Sequence, residues 1–522
     1  MLTTRFSVRH TVTAAVVALA SICAPQAPAQ DAIARVNAMY ADIPGDRRSD
    51  TILIPALKGL EAPPPAVRDL EKARLVGPGM LAWNDAIAWA AKPPQKAALE
   101  ALKKATEPVK TGTPMAWGQG YGVSSVTPDL VRAKLYTELG DPPLLSAAQF
   151  FTLPKLDELA VLVNIEATRL QQDSKVNDAL ELMERLLALG RQFADRQFFK
   201  EARWGLTTMV SSLERMRDIA YVDFRGKKEL TGDQLKAAID RLDNTADLRI
   251  DRILLPQADL IGAEQAIALV MVPRAGVNDR TFPTTMASLT SAERPLRLFS
   301  EAATWKSAGA AHADWASTTD EAKKLGDDYR KRWPLEWFHT LNQLPFERSK
   351  MDPNQFALLA ATVPDMSELF NLRQAVRVEV VGTRQALGIV GFFYARKQFP
   401  PKLSSIAPQW MQRLDVDPFN PNLTNNARPP LEYFVPIRDT TLNKNADPVP
   451  HELKIVAGGG VNFSVKLRDD TCVIYSVGPD NRPGFADRVQ NTVEKVPDVD
   501  YLIWPSVLSL YRQHLSEIGE LK

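Results

Sequence analysis

The 522-residue chain carries 63 Lys+Arg against 62 Asp+Glu, a formal charge of +1, and 45% of its residues are hydrophobic. A balance this even leaves no electrostatic footprint for nucleic acid or an acidic membrane surface, so neither is expected as a partner. Two cysteines exclude a disulfide framework, and the length calls for two or three domains.

Residues 1–29 read as a cleavable signal peptide. Arg5, Arg9 and His10 form a basic start, Thr11 to Ala24 is uncharged, and Ala27-Pro28-Ala29 supplies small residues at the cleavage position. The chain is therefore expected to be exported, periplasmic or extracellular, with a mature N-terminus near Gln30. Ile22 stands where lipoprotein processing at Cys23 wants a small residue, which disfavours lipidation. Cleavage leaves Cys472 alone, a small hydrophobe inside the apolar stretch Thr471 to Val477. No later apolar run reaches the roughly 20 residues of a spanning helix, so no transmembrane segment is expected in the mature chain.

Residues 30–150 are expected to hold short helices punctuated by Pro63-Pro64-Pro65 and Pro93-Pro94, then a Gly/Pro-rich loop from Val109 to Val126. Thr127-Pro128 opens the next helix. Residues 151–350 form a helical domain. Leu156, Leu159, Val163 and Leu170 trace one helix face, a polar break follows at Asp173-Ser174, and Met183 and Leu187 trace the next helix. Trp204, Met209, Leu213 and Met216 mark a third, and Thr231 with Gln234 a capping box. Helical patterning continues from Leu248 to Val272 and from Leu298 to Ala311. After a Thr318/Glu321 capping box it runs on to about Leu341, while Val277 to Pro295 reads as a loop.

Residues 351–522 change character. A long helix from about Glu368 to Lys397 has an apolar face, and Arg373, Arg377, Glu379 and Arg384 are expected on its exposed side. Period-two strands follow at Leu431 to Ile437, Val461 to Leu467 and Thr471 to Val477, most simply an antiparallel meander with one wet face. A tail helix from Pro505 to about Ile518 closes the chain.

The order of this part, a long helix, then QFPPKLSSIAPQW (398–410), LDVDPFNPN (414–422), LEY (431–433) and YSVGPDNRPG (475–484), resembles the major pseudopilin of type II secretion systems. It also resembles the C-terminal region of uncharacterised exported bacterial proteins that share the module. The resemblance covers about residues 366 to 490. It implies a helix packed on a small sheet and a turn that helps ligate calcium through Ser476, Gly478, Asp480 and Asp487, with backbone carbonyls completing an oxygen shell. Asn481 replaces the turn glycine, and Arg482 and Arg488 bring positive charge. A purely structural turn, with Gly478 in a backbone shape other residues resist, is the plainer reading of the residues, and Asp417-Pro418 likewise reads as a turn whose aspartate bonds local amides. Filament assembly does not carry over, because the pseudopilin-like helix is internal and charged.

The four histidines after the signal segment show no zinc-ligand spacing, and there is no G-x-S-x-G elbow. WGQGYG (117–122) lacks the strand and Lys-Ser/Thr pair of a phosphate loop and reads as a flexible connection; GGG (458–460) reads as a hairpin turn. Trp315, Trp333, Trp337 and Phe338 read as core. The expected fold is mainly α: an antiparallel helical bundle followed by a C-terminal α+β pseudopilin-like module with a small antiparallel sheet. The expected role is a non-enzymatic scaffold or binding protein of the cell envelope, with a cell-envelope protein as partner. The alternative is an extracytoplasmic hydrolase using acidic residues.

Overall fold

The structure, a computed structural model, describes residues 27–108, 113–141, 143–243, 248–271, 302–423, 427–441, 447–456, 462–494 and 496–521. The signal segment before Ala27, the whole Val277 to Pro295 loop and the GGG turn lie outside the described residues. The helices are α1 (Ala27–Ala41), α2 (Asp50–Gly59), α3 (Leu70–Leu75), α4 (Trp83–Ala90), α5 (Pro93–Thr106), α6 (Pro128–Arg132), α7 (Leu153–Gln172), α8 (Val176–Ala194), α9 (Phe199–Arg225), α10 (Gly232–Arg241), α11 (Ala258–Val270), α12 (Ala302–Ala311), α13 (Trp315–Arg332), α14 (Glu347–Lys350), α15 (Ala357–Thr362), α16 (Ser367–Arg396) and α17 (Val507–Glu517). The strands are β1 (Thr137–Glu138), β2 (Gln149–Phe150), β3 (Glu432–Phe434), β4 (His451–Val456), β5 (Asn462–Leu467), β6 (Val473–Ser476), β7 (Arg488–Gln490) and β8 (Asp500–Trp504). The chain is thus mainly helical, with a small, largely antiparallel sheet near its C-terminal end. Among the described residues no helix is long and apolar enough to cross a membrane.

Local signals account for several helix ends. Thr231 and Gln234 form the expected reciprocal capping box at α10. Two helical readings come out shorter than the periodicity suggests. Pro256 holds back the segment from Leu248, so α11 starts only at Ala258, and Pro334 stops α13 at Arg332. Asp314, not Thr318, caps α13, accepting from the Ser317 amide at 2.8 Å. Thr318 instead lies inside the helix and donates to the Asp314 carbonyl.

Helices α8 and α9 form the most extensive pair, and α9 packs next on α16. Their approach depends on glycine: a Cβ on Gly205 would meet Ala194 N at 2.3 Å and the Gly190 carbonyl at 2.5 Å. On α16, Gly382 admits the side chain of Ile503 and Gly391 the ring of Trp410. One continuous apolar core runs from Leu53 through α7–α9 and α16 to Trp504, crossing the sequence divisions at 150/151 and 350/351.

Buried charge crosses them as well. Arg373, Glu379 and Arg384 are not on an exposed side of α16; they are buried. Glu379 binds Arg217 of α9 and accepts from the Tyr501 hydroxyl of β8 at 2.7 Å. Asp218 of α9 takes Arg215, the Ser509 hydroxyl at 2.6 Å and Arg512 of α17 at 2.7 Å. Glu214 takes Arg74 of α3, Asn491 at 3.1 Å and the Leu508 amide at 3.2 Å. Burial works against the charge on Glu214 and Asp218, yet the arginines prevail and hold both carboxyls below their ordinary values. Helical periodicity reads a charged face as solvated; here a second layer covers it.

The sheet order is β3-β6-β8-β7-β4-β5. The expected meander is corrected in two ways. Strands β5 and β6, consecutive in sequence, sit apart in the sheet, and β7 pairs parallel with both β4 and β8 in an otherwise antiparallel arrangement. Only β4 and β5 alternate buried with exposed residues, while β6 and β8 are buried throughout. Tyr501 and Ile503 face the core shared with α16, and Leu502 and Tyr475 join a smaller core with α17. A strand covered on both faces loses the alternation by which strands are recognised, so β8 carries no period-two signal.

Candidate functional site

The turn that the resemblance assigns to calcium is built around Asp417. Its carboxylate is fully buried and accepts from the Ser476 hydroxyl at 2.7 Å, the Phe419 amide at 2.9 Å and the Val477 amide at 3.2 Å. Gly478 turns with φ +74°, where a side chain would meet the Val499 carbonyl at 2.7 Å. Asp480 uses both oxygens on the loop, accepting from the Arg482 amide at 3.1 Å and the Asp498 amide at 2.8 Å. Asp487 is exposed and is held through its backbone: the carbonyl accepts from the Lys454 amide and the amide donates to the Gly484 carbonyl. Ser476, Asp480 and Asp487 are thus committed separately, and among the described residues no three His, Cys, Asp or Glu side chains are grouped to hold a metal. The residue that sequence reasoning missed here is Asp500, fully buried and accepting from the Gly484 amide at 2.9 Å and the Ala486 amide at 2.7 Å.

Burial pushes Asp417 and Asp500 up to about 6 from an ordinary value near 3.8. Between those values the folded chain binds more protons than the unfolded chain, so this contribution to stability is lost as pH rises from about 4 to about 6 and is flat above. Asp218 and Glu214 act oppositely, but only as pH falls through the carboxylate range and below. Melting temperature is therefore expected to rise by a few degrees as pH is lowered from about 7.5 to 5. The Asp500→Asn variant should flatten that rise; thermal melts that keep the full wild-type slope would refute the assignment.

A cleft of about 640 Å³ opens in the N-terminal half, between the end of α1, the segment 114–117, one face of α8 and the segment 248–254. Residues 185, 188, 192 and 195 recur at three and four along α8 and so share the face turned to the cleft, while Leu186, Leu189 and Phe193 turn into the core. The helix is pinned there by Gln192, which accepts from the Ser49 hydroxyl at 2.5 Å and donates to the Ala105 carbonyl at 3.0 Å. Arg191 donates to the carbonyls of Leu248 and Arg249 and so holds the opposite wall in place.

Seven arginines line this cleft against three carboxylates, Glu107, Glu184 and Asp195. Glu184 receives Arg241 through two bonds at 2.5 and 3.0 Å, and Asp195 pairs with Arg191 at 2.5 Å. Burial raises both carboxyls above the ordinary range in spite of these partners. Arg196 lies against the rings of both Tyr40 and Tyr121, 4.1 and 4.5 Å from their centroids, and binds Glu201 at 3.1 Å. The Tyr121 hydroxyl donates to Glu201 at 2.7 Å, and burial keeps both tyrosines protonated. Around Arg196 this inner wall is internally paired. By contrast, the side chains of Arg185 and Arg252 have no hydrogen bond or ion pair among the described residues, and the Arg47 side chain gives only its Nε, to the Pro114 carbonyl at 3.1 Å.

The WGQGYG segment forms the back of the same wall and is not a flexible connection. Trp117, Gln119 and Tyr121 are buried, the Gly118 amide donates to Asp50 at 2.8 Å, and Gln119 donates to the Leu135 carbonyl at 2.8 Å. The glycines make room: a Cβ on Gly118 would strike the Arg48 side chain at 2.8 Å. The alternation of Trp, Gln and Tyr with Gly was the available signal, since three large side chains all pointing inward need small residues between them.

A second cleft, about 850 Å³, lies beside α16. There Arg384 bridges Asp415 at 2.7 Å and Asp243 at 3.3 Å, and Arg377 bridges Asp251 at 3.3 Å and Glu336 at 3.6 Å. These are the convergent carboxylates that a hydrolase would need, but each is already bound to an arginine. Trp333 and Trp337 pack on Phe370 and Phe419, as core residues do. No family model, curated protein or solved structure matches the chain.

Proposed function

We propose that the chain is an exported, non-enzymatic binding protein of the cell envelope and that the arginine-lined cleft is where it binds. One observation carries the reading: among the described residues the side chains of Arg185 and Arg252 stand unpaired on the wall of a preformed concavity in which Arg191, Arg196 and Arg241 are each paired with a carboxylate. Guanidinium groups held ready in such a place suit an anionic ligand, because charge-assisted bidentate bonds are the strong ones. Export is supported by Arg5, Arg9, the uncharged stretch after them and Ala27-Pro28-Ala29. The pseudopilin-like C-terminal module belongs to the same proposal, as an element that docks on an envelope protein.

Native mass spectrometry of the protein purified gently from its own envelope tests the reading. A bound mass beyond the chain, retained by the wild type and lost from an Arg185→Glu/Arg252→Glu variant, is expected. A wild type that repeatedly carries nothing, or a bound mass that the variant retains, overturns it.

A further inference from the structure

Exposure is graded across the cleft, and the gradient bears on what enters. Among the deeply buried lining residues the apolar Trp117, Leu187, Leu242 and Met115 stand beside Arg196, whose charge is taken up by Glu201 and by the rings of Tyr40 and Tyr121. Toward the rim stand half-buried Arg47 and Arg185 and exposed Arg252, together with two large apolar side chains left in solvent, Met39 at 46% and Leu254 at 56% exposure. A deep apolar end and a cationic rim set one orientation for a ligand. Its apolar body goes inward, where contact with apolar surface contributes about 25 cal/mol per Å². Its anionic head stays at the mouth, where Arg47, Arg185 and Arg252 have donors to give.

We infer that the cleft takes a single-chain amphiphile with an anionic head, a carboxylate or phosphate on a hydrocarbon chain. The inference rests on the binding reading above and names the ligand class of that same site. A small hydrophilic anion would leave the apolar depth and the Met39 and Leu254 side chains unpartnered. A neutral amphiphile would bury the chain and leave the arginine donors unused. The volume of about 640 Å³ is that of a pocket for one small ligand and does not suit a bulky multi-chain lipid.

Isothermal titration calorimetry on residues 30–522 tests this with four probes below their micellar concentrations: dodecanoate, dodecyl phosphate, dodecyl maltoside and inorganic phosphate. Binding of dodecanoate, dodecyl phosphate or both is expected, and which of them binds tighter identifies the head. Arg185→Glu/Arg252→Glu should weaken that binding roughly tenfold to a hundredfold, the loss of one or two charge-assisted contacts. Leu254→Asp should weaken it too, while circular dichroism shows both variants folded, since neither changes a buried or paired side chain. Inorganic phosphate matching dodecyl phosphate overturns the amphiphile assignment, and dodecyl maltoside matching the anions overturns the role of the arginines. If all four probes fail while native mass spectrometry still shows a mass held through Arg185 and Arg252, the ligand class is wrong and the binding reading survives.

Discussion

Asp218→Ala is expected to destabilise the fold by about 3–5 kcal/mol, the range for removing one partner of a buried ion pair. The aspartate is fully buried in α9 and is shared by Arg215, Arg512 and the Ser509 hydroxyl. Alanine would leave the Arg215 guanidinium in a low-dielectric interior with no ion-pair partner, and would leave the partly buried Arg512 with only Glu214 as a nearby acid. Arg215 is already pushed down to about 10 by burial and by its cationic neighbours Arg512 and Arg74, so it has little tolerance for losing its acid. Because Arg512 belongs to α17 and Arg74 to the N-terminal helices, the damage should reach both ends of the chain. Urea unfolding followed by far-ultraviolet circular dichroism measures the loss. A cost below about 1 kcal/mol would mean that the site relaxes and admits water, contrary to the packing described.

Gly205→Ala should cost about 3 kcal/mol, the upper end for overpacking, although it adds one methyl group. The new Cβ would lie 2.3 Å from Ala194 N, 2.5 Å from the Gly190 carbonyl oxygen and 2.6 Å from the Phe193 carbonyl carbon. All three are backbone atoms of the facing helix, so no side chain can swing aside and the α8–α9 pair must separate. Gly59→Ala is the control. A Cβ there meets nothing within 4 Å, and alanine should be neutral or slightly stabilising. Chemical denaturation of the two variants beside the wild type decides the matter. Equal midpoints for Gly205→Ala and Gly59→Ala would show that the helices are not held at this distance.

The two effects share a feature that bears on how the fold could be read in advance. Gly190 and Gly205 each lie within a helical pattern and look like weak points, since glycine lowers helix propensity. Their purpose appears only when the facing helix is known. Likewise Glu214, Arg215, Arg217 and Asp218 look like a solvated charged run on α9, and Arg373, Glu379 and Arg384 like the outer face of α16. Each is buried because a different, distant segment covers it: α3, α16 or α17 in the first run, α9, β8 and the loops around Trp333 and Asp415 in the second. A charge pattern on one helix contains no information about such a partner.

The candidate site divides in the same way. Asp417 as a turn-forming aspartate was legible, since Asx-Pro turns are local, and the Phe419 amide takes the expected bond. Its bond to Ser476, 59 residues away, was not. The arginine-lined cleft has no motif at all. Its walls come from residues near 40, 115, 190 and 250, and nothing in those four stretches announces a common surface.

What could be read without coordinates was therefore what near neighbours govern: helix periodicity over α7 to α10, the capping box at Thr231, the alternating strand β5, the Asp417 turn and the buried Cys472. What needed the folded chain was everything governed by separation in space. That covers the sheet order with its parallel β7, the burial of paired charges between α9, α16 and α17, and the cleft with its unpaired arginines. Local backbone preferences are set within a few residues, whereas desolvation, ion pairing and close approach depend on which distant surface arrives, and that is a property of the packed core.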